Sequence, residues 1–380
     1  MTDQFLIHFY YFILILLTLI YTAGMYYLKS GFKKLKQKSS DHVPFVTIVV
    51  SMHNEEKNVA ACLDRLVTQN YPQNKQEILI VNDRSTDETE VIINKYLSQY
   101  HFIRLISIDE IKNDFAPKKY AIDQAVHSAQ GELILLTDAD GRPTSQWVKK
   151  IVSLFSDEIG MVIGYAPYNT ENPVKSFLNR LLSVEYLSHA AVAAASCGLG
   201  YPVTCVGTNM AYRKIVYEQL GGFGIYKNLH TGDDDLFLQR VRDETSWNIT
   251  YATDRQSHVY NAPPDHWQTF FQQRIRYASK GFKYPPLVIA ILILFYFLNL
   301  LLLFSPLTLI AGSQYLVQFL AVIFLKTVTD YNFINAAASV LDDTRDRVIF
   351  PIASILHSPY VVFFGLIAQF KRFLWGSRLS

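Results

Sequence analysis

Cysteine is scarce in this sequence, and the three present, Cys62, Cys197 and Cys205, fall in no paired or C-x-x-C spacing. That excludes a disulfide framework and a cysteine-built zinc site, and leaves buried apolar thiols in a reducing compartment as the expectation. Excess charge is also lacking. A formal net charge of +2 over 380 residues gives no global field that would draw in nucleic acid. Internal repeats and low-complexity stretches are absent as well. What the chain has in quantity is apolar surface. Half of its residues are hydrophobic and the mean hydropathy is +0.12, which is high for a purely soluble protein, and the length suits one domain plus something else.

Much of the apolar excess lies at the two ends. Residues 5–28 are almost wholly apolar or aromatic, long enough to cross a hydrocarbon core about 30 Å thick. No basic residue precedes them and no small-x-small site ends them, so a cleaved signal peptide fits poorly. Lys29, Lys33, Lys34, Lys36 and Lys38 follow, which by the positive-inside rule places the next domain in the cytoplasm. After Pro285-Pro286, residues 287–310 and 314–333 read as two further spans joined by the turn Ala311-Gly312-Ser313. Lys326 and Asp330 in the latter are expected to mark a helix end near the interface rather than a pair inside the membrane. Residues 349–370 form a weaker span, interrupted by Pro351, His357, Ser358 and Pro359. Its flanks are both basic, with Arg345 and Arg347 before it and Lys371, Arg372 and Arg378 after it. Either it crosses against the charge rule or it is re-entrant or interfacial. The expected division is a membrane helix at 1–28, a basic linker at 29–42, a cytoplasmic domain at 43–284, a membrane region of two to three helices at 285–370 and a basic tail at 371–380. This describes a multi-pass protein of the cytoplasmic (inner) membrane.

Within the central domain, 45–51, 77–82, 102–107 and 132–137 are short apolar strands alternating with helices at 56–69, 88–98 and 118–128. That alternation predicts an α/β domain, a mostly parallel Rossmann-like sheet covered on both faces. Ligands in such sheets bind beyond the carboxyl ends of the strands. Three polar clusters sit where strands stop: Asn54-Glu55-Glu56, Asn82-Asp83 and Asp138-Ala139-Asp140.

Asp138 and Asp140 are two apart after a strand, so both carboxylates can face one cation. Hard oxygen ligands suit Mg2+ or Mn2+ bound together with a substrate phosphate, although a D-x-D alone is more often a solvated acidic turn. Asp83 ends an apolar strand and is expected to face a nucleobase or ribose, while Ser85-Thr86-Asp87 caps the helix that opens at 88. Asp233, Asp234 and Asp235 are three carboxylates in a row, more than helix capping requires. Crowding raises the pKa of at least one of them, as a general base needs. Gln273, Arg274, Arg276 and Tyr277 lie just before the second membrane region; guanidinium forks bind diphosphate, and an aromatic neighbour can line an acceptor path. Residues 173–189, apolar at helical spacing, suit either a bilayer surface or core packing.

In combination these blocks resemble the family 2 inverting glycosyltransferases, especially the membrane-bound branch that includes hyaluronan, cellulose and poly-N-acetylglucosamine synthases and ceramide glucosyltransferase. The resemblance covers 45–281 and rests on Val50-Ser51-Met52-His53-Asn54-Glu55-Glu56, Asn82-Asp83-Arg84-Ser85-Thr86-Asp87, Thr137-Asp138-Ala139-Asp140-Gly141, Gly232-Asp233-Asp234 and Gln273-Arg274-Ile275-Arg276-Tyr277, in the family's order. It implies a GT-A fold flanked by transmembrane helices and a nucleoside-diphosphate sugar donor, most often a UDP-sugar. It further implies that Glu55, Asp83, Lys118, Asp138, Gln273 and Arg276 lie on the donor side, that Asp140 with Asp138 holds the metal, and that Gly207, Thr208, Asn209 and Tyr277 face the acceptor. The base is Asp234 when the motif is aligned as G-D-D, and Asp233 when it is aligned on Asp235-Leu236. Tyr277 stands where the family has tryptophan, and Pro117 and Asp123 where glycine and asparagine are usual. The smaller aromatic and the modest membrane region favour single transfer to a lipid-linked or saccharide acceptor over processive polysaccharide synthesis. A membrane-tethered nucleotide-binding scaffold or sensor without catalysis is the rival from another class, and the third acidic cluster argues against it.

Overall fold

The computed structural model describes residues 2–35, 39–110, 114–168, 177–264, 266–279, 283–343, 348–370, 374–375 and 378–379. Lys36, Lys38, Arg345, Arg347, Lys371, Arg372, the side chain of Arg378 and the first residues of the 173–189 segment lie outside this set. Helix α1 (Thr2–Ser30) leads into β1 (Val46–Met52), α2 (Val59–Val67), β2 (Gln76–Asp83), α3 (Thr89–Leu97), β3 (Ile103–Ile108), α4 (Pro117–Ser128), β4 (Leu133–Leu136), β5 (Arg142–Pro143), α5 (Trp147–Val152) and β6 (Ile159–Gly164). There follow α6 (Phe177–Gly198), β7 (Met210–Arg213), α7 (Lys214–Gln219), α8 (Asp235–Glu244), β8 (Asn248–Ala252), β9 (Val259–Tyr260), α9 (Trp267–Ala278), α10 (Pro286–Phe304), α11 (Leu316–Val340) and α12 (Phe350–Ile367).

Seven strands form one sheet in the order β3-β2-β1-β4-β7-β6-β8. All run parallel except β7, which is antiparallel to both β4 and β6. Alternation of side chains along each strand builds two cores. Val49, Leu79, Val81, Ile134 and Leu136 pack on one face with α4 and α6, while Ile48, Val50, Ile78, Ile80, Leu133 and Leu135 pack on the other with α2 and α5. The reversed β7 puts the start of that strand at the same edge where β1, β2 and β4 end. The loop 207–209 therefore joins the crevice.

Among the described residues, four helices are long and apolar enough to cross a membrane. They dock on the α6 side of the sheet. Gly31 and Gly198 meet backbone to backbone: a Cβ on Gly31 would lie 2.0 Å from the Ala195 carbonyl oxygen, and one on Gly198 would lie 2.0 Å from that of Gly31. Only glycine permits that approach. The Phe32 and Phe333 rings, 5.4 Å apart, extend the contact to α11.

One expectation changes here. Lys326 and Asp330 do not mark a helix end, because α11 continues to Val340. They form a 2.7 Å ion pair mid-helix, 3% and 9% exposed, and the Tyr21 hydroxyl of α1 donates to Asp330. In an apolar bundle a charge survives only when paired in this way. Helix α12 packs on α6, α9 and α10: Ile349, Phe350, Phe364 and Ala368 belong to the same core cluster as α6, Phe364 packs on Phe270 of α9 at 5.8 Å, and Ser358 donates to Asn299 of α10 at 3.0 Å.

Candidate functional site

The crevice is assembled from chain reversals at the ends of strands. After β1, Asn54 turns in the left-handed region at φ 57°, a conformation asparagine tolerates better than most. Its loop is stitched to the one after β2. The Asn54 amide donates to Ser85 Oγ (3.0 Å), the Glu55 amide to Thr89 Oγ1 (2.8 Å), the Glu56 amide to Asp87 Oδ2 (3.1 Å), and the Thr86 amide to Asn54 Oδ1 (2.8 Å). Asp87 also accepts from the Thr89 amide at 3.0 Å; it stands one residue before Glu88, which holds the N-cap position of α3 without a side-chain cap bond. Asp83 ends β2 with its side chain buried and in a 2.8 Å ion pair with Arg84.

Opposite them, Asp138 and Asp140 follow β4. Lys118, in the first turn of α4, places its Nζ 2.8 Å from Asp138 Oδ1 and 3.0 Å from Asp233 Oδ2. One ammonium thus joins two acidic clusters that are remote in sequence. Burial alone would lower the Lys118 pKa, but the two carboxylates outweigh it and hold the amine well above the ordinary lysine range. Asp140 keeps contact with solvent, yet the surrounding protein and the Asp138 carboxylate raise its pKa. Burial, together with Asp140, Asp138 and Asp87, raises that of Glu55 despite its bond from Asn58. Carboxyls pushed up in this way are those a cation would relieve. The Thr137 hydroxyl at the same turn is buried without a hydrogen-bond partner among the described residues. Among those residues no group of three or more His, Cys, Asp or Glu could hold a metal. Two carboxylates at one turn, Asp138 and Asp140, have the hard oxygen chemistry of a divalent ion that keeps water and substrate phosphate among its ligands.

Asp233, Asp234 and Asp235 each have a different hydrogen-bond or ion-pair partner. Asp233 meets Lys118. Asp234 caps α8 by accepting from the Asp235 amide at 2.7 Å. Asp235, 1% exposed, accepts from the Tyr284 hydroxyl. Gly232 makes the turn at φ +77°. Beneath it, Lys119 donates to the carbonyls of Tyr226 (2.6 Å) and Thr231 (2.9 Å).

On α9, Arg274 is buried and ion-paired with Glu185 of α6, whose other oxygen accepts from the Tyr360 hydroxyl of α12. Burial opposes ionisation of Glu185, but His189, Arg274 and Tyr360 outweigh it and hold the pKa at about 2. Arg276 lies over the Tyr277 ring at 5.4 Å.

Glu55, Asp83, Lys118, Asp138, Asp140, Gly207, Thr208, Asp233, Asp234, Gln273, Arg276 and Tyr277 all line one continuous cavity of about 1810 Å³. Asn209 does not. It is fully buried, accepts from Trp147 Nε1 at 2.9 Å, and donates to the carbonyls of Tyr165 (2.7 Å) and Ser257 (2.9 Å). It braces β6 against α5 instead of facing an acceptor. Sequence reasoning missed Lys119, Glu185 and Tyr284. A lysine next to Lys118 and a glutamate on an apolar helix carried a signal only in being charged where burial was expected.

Residues 47–221 match Glycosyl transferase family 2. Among curated proteins, the chain is 27% identical to the probable glycosyltransferase YdaM of Bacillus subtilis over 65% of its own length and 57% of that protein. It is 26% identical to glycosyltransferase AglE of Haloferax volcanii over 56% and 66%. With the beta-monoglucosyldiacylglycerol synthase of Nostoc sp. it shares 29% over 63% and 50%. The chain thus spans one half to two thirds of these relatives. Among solved structures, the mannosyltransferase PcManGT of Pyrobaculum calidifontis, in complex with GDP-Man and Mn2+, superposes with a TM-score of 0.58 at 20% identity over 89% of this chain and 100% of that one. This is a likeness of fold.

Proposed function

We propose that the chain, whose residues 47–221 match Glycosyl transferase family 2 on a GT-A-like sheet, is an integral-membrane inverting glycosyltransferase. It moves a sugar from a nucleoside-diphosphate sugar, of which a UDP-sugar is the expected kind, to a lipid-linked or saccharide acceptor. The observation that carries this is the meeting of Asp138, Asp233 and Lys118 at one point of a cavity that also holds Asp83, Asp140 and Asp234. A metal-free acidic surface turn would not converge in this way, and a nucleotide sensor would have no use for the third cluster.

Asp83 and Glu55, which line the cavity, are the proposed contacts to the nucleoside, and the Arg276 guanidinium suits the diphosphate. A divalent ion held by Asp138 and Asp140 would supply countercharge to the leaving diphosphate. Asp234, the member of its cluster most open to the cavity, takes the proton from the acceptor hydroxyl. The hydroxyl oxygen bonds to the anomeric carbon as the bond from that carbon to the diphosphate oxygen breaks, and the electron pair leaves with the nucleoside diphosphate. Single displacement inverts the configuration.

We propose further that α1, α10 and α11 cross the membrane while α12 lies on its inner surface, a topology that accords with the basic sequence on both flanks of 349–370. The test of function is a panel of UDP- and GDP-sugars on purified membranes with and without Mn2+. Metal-dependent release of nucleoside diphosphate is expected for one donor, and its absence for every donor in the presence of membrane lipid extract and saccharides would refute the proposal.

A further inference from the structure

The carboxylates at 233–235 are delivered by a glycine-rich loop between α7 and α8. Gly221, Gly222, Gly224 and Gly232 all lie at φ between 53° and 77°, and glycine backbone is permissive about where it goes next. The loop's amides close short local turns, Tyr226 on the Phe223 carbonyl, Lys227 on Gly224 and Leu229 on Tyr226. Two buried cations grip it from outside. At its start, Arg240 of α8 donates to the carbonyls of Leu220 and Gly222, both at 2.7 Å. Towards its end, Lys119 of α4, 1% exposed, donates to those of Tyr226 (2.6 Å) and Thr231 (2.9 Å), with its ammonium 5.6 Å from the centre of the Phe223 ring. The Ala116 amide, just before α4, adds a 2.8 Å bond to the Lys227 carbonyl.

An ammonium withdrawn from water is costly, and the first turn of a helix is the end of its dipole least suited to cations. Lys118 and Lys119 occupy that turn together, and both close on the same loop. Lys119 holds its main chain at Thr231, and Lys118 holds the Asp233 carboxylate two residues later at 3.0 Å. Gly232 turns between these two points. We infer that Lys119 is a positioning residue for the glycosyl transfer proposed above. By fixing the backbone at 226 and 231 it sets where Gly232 turns, and so where Asp234 stands relative to Asp138 and Asp140. The inference rests on the reading of Asp234 as the base, through which Lys119 acts.

The test compares the full chain with Lys119→Met, by hydrogen–deuterium exchange in detergent and by nucleoside diphosphate release on purified membranes with Mn2+ and the donor found in the panel. The amides of Tyr226, Lys227 and Leu229 should exchange faster on the order of ten-fold, the scale of one lost charge-assisted hydrogen bond. Those of β1 and β4 should keep their rates. kcat should fall by about 10²-fold, the effect of an ångström-scale misplacement, with donor KM little changed. In an Asp234→Asn background the same substitution should lower kcat by less than about three-fold, because residues that act as a unit do not add. An equal factor in both backgrounds is what a merely structural lysine gives, and it overturns the inference. So does unchanged exchange at 226–229. If Lys119→Met does not fold, Lys119→Gln carries the same expectations, and failure of both to fold assigns Lys119 to stability alone and also overturns it. Wild-type kcat in Asp234→Asn refutes the base assignment instead. A wild type that releases no nucleoside diphosphate refutes the glycosyl transfer reading, and exchange then still decides whether Lys119 holds the loop.

Discussion

Replacing Lys118 with methionine keeps the length of the side chain and removes its charge. Asp138 and Asp233 would then lose a cation that lies 2.8 and 3.0 Å away. Removing one partner from a buried ion pair costs about 3–5 kcal/mol. Here the Asp138 side chain is 36% exposed and the lysine 23%, so solvent screening reduces the figure to about 2–3 kcal/mol. For a domain of this size that lowers Tm by about 4–12 °C. The sign with pH follows from the raised lysine pKa: the contribution is complete below the ordinary lysine value of about 10.4 and fades only as pH rises through the folded-state value. The difference between wild type and variant should therefore be flat across neutral pH. Mn2+ should raise the Tm of Lys118→Met more than that of the wild type, because a cation beside Asp138 takes over the missing positive charge. Thermal unfolding of detergent-purified protein, followed by tryptophan fluorescence with and without Mn2+, reads both effects. If the variant melts with the wild type, or if Mn2+ stabilises the two equally, the view of Lys118 as the cation that holds the two acidic clusters together is wrong.

Asp234→Asn should lower kcat by about 10²–10⁴-fold with donor KM little changed, since a general base contributes on that scale; steady-state kinetics with the identified donor checks it. Glu185→Gln leaves Arg274 without its buried counter-ion and should cost about 3–5 kcal/mol at neutral pH. Because the Glu185 pKa is depressed to about 2, its contribution is present above the ordinary carboxylate value and lost as pH falls through about 2. The gap between wild type and variant in denaturant titrations should accordingly close with acidification. Gly232→Ala puts a Cβ 2.5 Å from Leu236 Cδ1 at a positive φ. It should cost about 1–3 kcal/mol and displace the Asp233–Asp234 turn, with activity falling by more than the loss of folded protein measured by circular dichroism.

Much of this was legible in the sequence because it is local. Apolar runs at 45–51, 77–82 and 132–137 became β1, β2 and β4 with small shifts at their ends, and Glu55, Asp83, Asp138 and Asp140 just beyond them lie in the cavity. The carboxylates were visible for the same reason, each sitting where a strand stops. What escaped depends on partners far along the chain. Asn209 has the spacing of an acceptor residue, yet Trp147, Tyr165 and Ser257 claim its amide. Lys326 and Asp330 look like an interfacial pair until Tyr21 is brought against them. The basic flanks of 349–370 contradicted each other only under the assumption that the helix crosses. The Arg274–Glu185 pair joins α9 to α6 across the cavity wall, and neither residue signals the other.

The backbone contact of Gly31 with Gly198 has a consequence for reach. Many enzymes sit on the membrane by a flexible tether and can swing to meet substrates of different sizes. Here Gly31, just past the end of α1, and the last turn of α6 touch without side chains between them, so in the membrane orientation proposed above Asp234 would be held at a set height over the lipid surface, and lengthening the 31–35 segment by a residue should change which lipid-linked acceptors reach it.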